Sequence, residues 1–149
     1  DITMAINRKA TATWSGTGKE GTGHISSTSG ALNGIPHSFT TRFVSEDGKA
    51  GTNPEELIAA AHASCFTMKV SFVLNAAGFT ADKLDCTATV TMDKVGDGMG
   101  VVGIHLDLRG AVPEIDAAKF QACAEEAKAN CPISLLLKSV PITLRAQLG

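Results

Sequence analysis

Between Gly51 and Phe66 the chain reads Gly-Thr-Asn-Pro-Glu-Glu-Leu-Ile-Ala-Ala-Ala-His-Ala-Ser-Cys-Phe, and it stays apolar onward to Leu74. Asn53 reads as a helix N-cap. Pro54 suits the first helical position, where its missing N–H would be unpaired in any case, and Glu56 completes an N-cap-to-N3 pattern. The helix predicted from this start runs to about Ala77, where Gly78 takes a left-handed C-cap. So apolar a run leaves no wide polar face, and burial on most sides is expected. His62 and Lys69 within it, and the two glutamates ahead of it, mark a central helix of a soluble protein and not a membrane span. Into this apolar setting the helix carries one cysteine, Cys65.

Strand patterns flank the helix. Lys9 to Ser15 alternates and is rich in threonine, and His24 to Leu32 is a weaker strand. Asn33-Gly34 predicts a tight type I′ hairpin turn, whose two central residues both need positive φ. Ile35 to Val44 is expected to return as the partner strand, with Phe39, Thr41 and Phe43 on one face and Thr40, Arg42 and Val44 on the other. Pro36 places that strand at an edge or at its own start. After the loop Glu46–Thr52 and the helix, Leu84 to Val95 alternates, Gly96 to Gly100 turns, and Val101 to Val112 comes back with Ile104, Leu106 and Leu108 on one face. Asp116 caps a helix over Ala117–Asn130 that lines up Phe120, Cys123, Ala124 and Ala127. Cys131-Pro132 begins a short helix, Ile133 to Lys138, and Pro141 to Leu148 closes as a strand. The architecture is α+β, mostly antiparallel, in a single domain over 1–149. Residues 1–52 form the N-terminal strands and hairpin, 53–78 the central helix, and 84–149 the second hairpin, the later helices and the closing strand. Two hairpins and one apolar helix leave much apolar surface, which predicts an obligate dimer burying the central helix between subunits.

A net charge of −2 without a long basic run gives no electrostatic case for nucleic acid or an anionic membrane as partner. The start, Asp1 to Ile6, has neither the basic region nor the apolar run of a secretory signal, and Met4 reads as a start behind a three-residue remnant. Cysteines at 65, 86, 123 and 131 form no CxxC pair, which excludes a zinc ribbon and a thioredoxin-type motif. Reduced thiols in a cytosolic protein fit best, with paired redox chemistry as the open alternative.

Each cysteine has a bland reading and a chemical one. Cys65 is either a small buried hydrophobe or a nucleophile, and a thiolate would need a nearby cation or hydrogen-bond donors. His62, three residues earlier on the same face, is a candidate partner and equally a core or surface histidine. Cys131 is expected at an N-cap before Pro132, where the helix end favours a thiolate; it equally continues the apolar stripe of the preceding helix. Cys86 and Cys123 read as structural. Arg42, if its face is buried, needs an acidic partner. Glu55 and Glu56 have the ordinary role of acids at a helix start. Ten residues separate Glu55 from Cys65, about 15 Å along a straight helix. For both to serve one site, either the helix breaks between them or the glutamate and its arginine come partly from a second subunit.

Thr41-Arg42-Phe43, Gly51-Thr52-Asn53-Pro54-Glu55-Glu56-Leu57-Ile58, Ala60-Ala61-His62-Ala63-Ser64-Cys65-Phe66 and Asn130-Cys131-Pro132-Ile133-Ser134 together resemble the OsmC/Ohr family of thiol peroxidases, and its OsmC branch in particular. The likeness runs from about Arg8 to Leu148. It implies an intertwined α+β homodimer, with antiparallel sheets wrapped around long central helices and two active sites at the subunit interface. It implies a cytoplasmic peroxidase that reduces organic hydroperoxides in oxidative and osmotic stress defence, with no metal and no bound cofactor. By the same resemblance Cys65 is the peroxidatic cysteine, Cys131 the resolving cysteine, Arg42 the arginine that holds the thiolate, and Glu55 the carboxylate that pairs with it. His62 has no assigned role there. The implied reductant is an external dithiol, with lipoylated proteins among the candidates. The competing functions are a non-catalytic redox sensor built on the same cysteine pair, and a Cys-His hydrolase built on Cys65 and His62.

Overall fold

The structure is a computed structural model and describes residues 5–149, so the candidate start at Met4 lies outside the described residues. The chain divides into two compact units, Asp1–Pro54 and Glu55–Gly149.

In the first unit β1 (Ala10–Ser15), β2 (Thr22–Ser27) and β3 (Ile35–Ser38) form an antiparallel sheet in that order. Two expectations fail here, both because short polar side chains bond the backbone locally and displace regular pairing. β2 stops at Ser27 and not at Leu32. The Ser27 N–H donates to the Leu32 carbonyl at 2.8 Å, and the Ser27 hydroxyl accepts from the Leu32 N–H at 3.0 Å. The Ser26 hydroxyl accepts from the Gly34 N–H at 2.9 Å. Asn33-Gly34 is therefore no type I′ turn: Gly34 has φ 63°, but Asn33 is not among the residues with positive φ.

The predicted strand Ile35–Val44 likewise ends at Ser38, and Thr40–Val44 winds into a π-helical turn. Ser38 and Thr41 bond reciprocally, each hydroxyl accepting the other's N–H at 3.2 and 3.0 Å, as in a capping box. Arg42 thus lies on a helical turn and not on a strand face. Phe39 and Phe43 still meet, with ring centroids 5.0 Å apart, but through helical i, i+4 spacing.

The second unit holds the buried core. Helix α1 (Pro54–Ala76) starts where Asn53-Pro54 predicts. It ends in a Schellman motif, the Phe79 N–H reaching the Leu74 carbonyl at 2.8 Å with Gly78 at φ 91°. β4 (Lys83–Val95) and β5 (Gly98–Ala111) form a long antiparallel hairpin around Gly96-Asp97. Helix α2 (Ala117–Asn130) is capped by Asp116, whose carboxylate accepts the Lys119 N–H at 2.7 Å. The short α3 (Pro132–Leu136) follows, and β6 (Ile142–Leu148) joins the sheet in the order β4-β5-β6. β6 runs parallel to β5, because the helical connection between them supplies the crossover a parallel pair requires.

Ile104, Leu106 and Leu108 of β5 pack with Phe66, Val70 and Leu74 of α1 and with Phe120 and Ala124 of α2 in one core. Only one stripe of α1 is buried: His62, Phe66, Val70 and Leu74 at i, i+4 spacing. Met68 and Phe72 are 61% and 65% exposed, so burial on most sides does not hold within one chain. The sheet and α2 can cover a single face of a cylinder. By length and composition α1 would pass for a membrane-crossing helix; its buried stripe shares the sheet's core.

Gly110 in β5 has a packing reason. A Cβ there would sit 2.6 Å from Cζ of Phe120, whose ring is itself fully enclosed. Gly110→Ala is expected to lower stability by about 1–3 kcal/mol, since ring or strand must shift in a packed core. Urea unfolding measures it, and an unchanged midpoint would contradict this packing account.

Candidate active site

The middle of α1 and the junction of α2 with α3 bring two thiols together. Cys65 lies on α1, half-buried beside the Phe66 stripe. Cys131 ends α2, its N–H donating to the Ala127 carbonyl at 2.9 Å, and starts α3, its carbonyl accepting from the Leu135 N–H at 3.0 Å. Pro132 explains the break. A proline disfavours the helical conformation in the residue before it, and Cys131 is extended at φ −61°, ψ 130°. Cys131 is the N-cap residue expected, but its side chain makes no cap hydrogen bond. The fully buried thiol faces Cys65 instead, with the sulfurs 3.0 Å apart.

Burial pushes the Cys65 thiol up from its ordinary value, and the hydrogen bond from Cys131 adds to this. The backbone at Ile133 and the charge of Lys69 pull the other way, but more weakly. Within the second unit, then, the surroundings of Cys65 favour the neutral thiol. Cys86, raised to about 11 by burial and by Asp107, and Cys123, enclosed in the core, stand apart from this pair.

His62 is fully buried. Its Nε2 shares a 2.8 Å hydrogen bond with the Ser134 hydroxyl of α3, while Nδ1 is buried with no partner. Neither nitrogen bonds Cys65, which removes the base from the Cys-His hydrolase reading. Sequence reasoning passed over Ser134. The available signal was its spacing, three residues after Cys131 as His62 is three before Cys65. Burial also lowers the His62 pKa. The unfolded chain therefore takes up a proton that the folded one resists. Stability should fall as pH drops from about 6.5 toward the lower folded value. His62→Gln should flatten that part of the stability-versus-pH curve in chemical denaturation, and an equally steep curve would assign the acid sensitivity elsewhere.

Arg42 belongs to the first unit, whereas Glu55 shares the second with the thiols but stands apart from Cys65 along α1. Arg42 is exposed on its π-helical turn, with its guanidinium carbon 5.0 Å from the centre of the Phe43 ring. In the first unit it borders a cavity of about 270 Å³ also lined by Trp14, His37, Phe39 and Asn53. Glu55 is half-buried at the start of α1, which continues unbroken from Pro54 to Ala76. The 10-residue separation therefore puts Glu55 about 15 Å along the axis from Cys65 of the same helix.

Residues 46–145 match the family described as OsmC-like protein. The chain is 49% identical over 145 residues to Peroxiredoxin OsmC of Escherichia coli strain K12, covering 97% of this chain and 99% of that protein. It is 37% identical over 98 residues to an organic hydroperoxide resistance protein of Xanthomonas axonopodis pv. citri, covering 64% and 66% of the two chains. The crystal structure of the organic hydroperoxide resistance protein OhrB of Bacillus subtilis superposes with a TM-score of 0.71 at 25% identity, over 95% of this chain and 98% of that one.

Proposed function

The chain belongs to the OsmC family, and from that premise we propose that it is a cysteine-based peroxidase that reduces organic hydroperoxides to alcohols. The observation that carries this reading is the Cys65–Cys131 pair, two free thiols 3.0 Å apart contributed by different helices. Relatives named as a peroxiredoxin and as an organic hydroperoxide resistance protein support peroxidase activity.

In this mechanism the Cys65 thiolate attacks one peroxide oxygen. The O–O bond breaks, an alcohol leaves, and Cys65 becomes a sulfenic acid. The Cys131 thiol displaces the sulfenic hydroxyl as water, and a disulfide forms. An external dithiol then restores both thiols by exchange. A lipoylated protein has the required chemistry.

Arg42 supplies a stronger cation than Lys69, whose pull on the Cys65 thiol is the weakest of those acting on it. Its fork of donors stabilises the thiolate and the departing oxygen, and Glu55 fixes the fork's direction. The 15 Å reach along α1 argues that Glu55 and Arg42 serve the Cys65 of a partner copy. A homodimer also accounts for the exposed Met68 and Phe72 on α1, which would otherwise leave apolar surface in water. We read residues 1–149 as one such domain in a cytoplasmic protein.

Leu57, Met68 and Phe72, on the same helix as Cys65, favour alkyl or fatty hydroperoxides over hydrogen peroxide. Phe66, next to Cys65 in sequence, is fully buried in the core and takes no part. Consumption of tert-butyl hydroperoxide with a dithiol, run beside hydrogen peroxide, tests the reading. Many turnovers per subunit, faster on the alkyl substrate, are expected. A single oxidation without cycling would instead indicate a redox sensor built on the same two cysteines.

A further inference from the structure

We infer that the His62–Ser134 hydrogen bond is a positioning clamp that holds the Cys131 thiol within reach of Cys65 and so sets the rate and equilibrium of their disulfide. The inference rests on the reading that this pair forms a disulfide. His62 precedes Cys65 by three residues on α1, and Ser134 follows Cys131 by three on α3. At that spacing each polar residue stands beside its cysteine on the same helical face. The 2.8 Å hydrogen bond and the 3.0 Å thiol contact therefore bridge the same two helices side by side.

α3 needs such a tie. It has five residues, too few for a helix to be stable by itself. Leu135 and Leu136 are 52% and 73% exposed, so among its apolar side chains only the partly buried Ile133, with Leu137 just after it, packs against the core. Ser134 is its one buried residue, at 4% exposure, and Cys131 at its N-cap is fully buried. A helical serine commonly returns its hydroxyl to its own backbone. Here the hydroxyl is directed across to a histidine with no access to water. Breaking the pair would strand a buried nitrogen, which costs more than the bond's net contribution.

The step served is condensation. The S–O bond of the Cys65 sulfenic acid breaks and an S–S bond to Cys131 forms. The thiol proton leaves with the hydroxyl as water. The sulfurs must close from 3.0 Å to about 2.05 Å. A tethered α3 keeps them facing, whereas a loose one spends time elsewhere and leaves the sulfenic acid exposed to a second peroxide.

The test is the equilibrium of the Cys65–Cys131 disulfide against glutathione, together with the lifetime of the sulfenic acid after one equivalent of tert-butyl hydroperoxide, trapped with dimedone. Ser134→Ala should weaken the disulfide about tenfold, the scale of one buried hydrogen bond. That corresponds to a reduction potential about 30 mV less negative. The sulfenic acid should persist longer, with its rate of formation unchanged, and Ser134→Thr should restore both values. Equal potentials and equal lifetimes for Ser134→Ala and the wild type, with only a lower melting temperature, would overturn the clamp. If Ser134→Ala does not fold, His62→Gln and His62→Asn replace it. The glutamine amide reaches the place of Nε2 and the asparagine amide stops short, so the clamp predicts a shifted potential for asparagine alone, and identical potentials would refute it. A wild type that forms the disulfide in glutathione but not with hydroperoxide would refute the peroxidase and leave the clamp to be judged on the potentials.

Discussion

Replacing Cys65 by serine is expected to abolish hydroperoxide turnover, a loss on the order of 10³-fold or more, because nothing else in the mechanism carries the nucleophile. A serine hydroxyl stays protonated where a thiol can ionise, and oxygen attacks a peroxide far less readily than sulfur. No other cysteine can substitute. Cys123 is enclosed in the core, and burial with the nearby charge of Asp107 raises the Cys86 pKa to about 11. Cys131→Ser should behave differently. The first reaction with hydroperoxide should proceed, since Cys65 is intact. The sulfenic acid would then lack its partner and advance to sulfinic acid under excess peroxide. Intact-mass analysis after graded additions of tert-butyl hydroperoxide separates the two variants. Steady turnover by Cys65→Ser would overturn the assignment of the nucleophile. Undiminished cycling by Cys131→Ser, with no build-up of sulfinic acid, would remove the resolving role.

Much of this arrangement was legible in the residues. The start of α1 follows from Asn53-Pro54, its end from Gly78, and α2 from Asp116 and a 3.6-residue apolar stripe, because these are local signals. The face of β5 carrying Ile104, Leu106 and Leu108 was equally clear from alternation. What misled was polar chemistry of short range. Ser26, Ser27, Ser38 and Thr41 each bond nearby backbone, and an alternating stretch that looks like strand becomes a turn or a π-helical segment. The partial burial of α1 was hidden for another reason. Composition says that a helix is apolar all round, but not whether its own chain or another covers it. The approach of Cys65 to Cys131 spans 66 residues and no local pattern encodes it, so before the structure it rested on family resemblance alone.

Arg42→Ala is expected to lower kcat/KM for alkyl hydroperoxides by about 10²–10³, the usual consequence of removing one donor aimed at developing negative charge. The argument starts from what Cys65 lacks. Burial and the Cys131 thiol push its pKa up and so suppress ionisation, and the counteracting pull of Lys69 is weak. An additional cation must bring the thiolate within reach at neutral pH. Arg42→Lys should recover only part of the loss, because an ammonium offers charge without the planar fork. The pH profile carries the sign. Without Arg42 the ascending limb of activity, which reports Cys65 ionisation, should move to higher pH. If the proposed homodimer forms, mixed dimers decide where the arginine acts. Neither Arg42→Ala nor Cys65→Ser should turn over alone at a useful rate. A heterodimer of the two still holds one intact cysteine opposite one intact arginine. Recovery of activity on mixing unfolded subunits and refolding them together would place Arg42 in the partner's site. No recovery, with heterodimers verified by mass, would place it beside the Cys65 of its own chain.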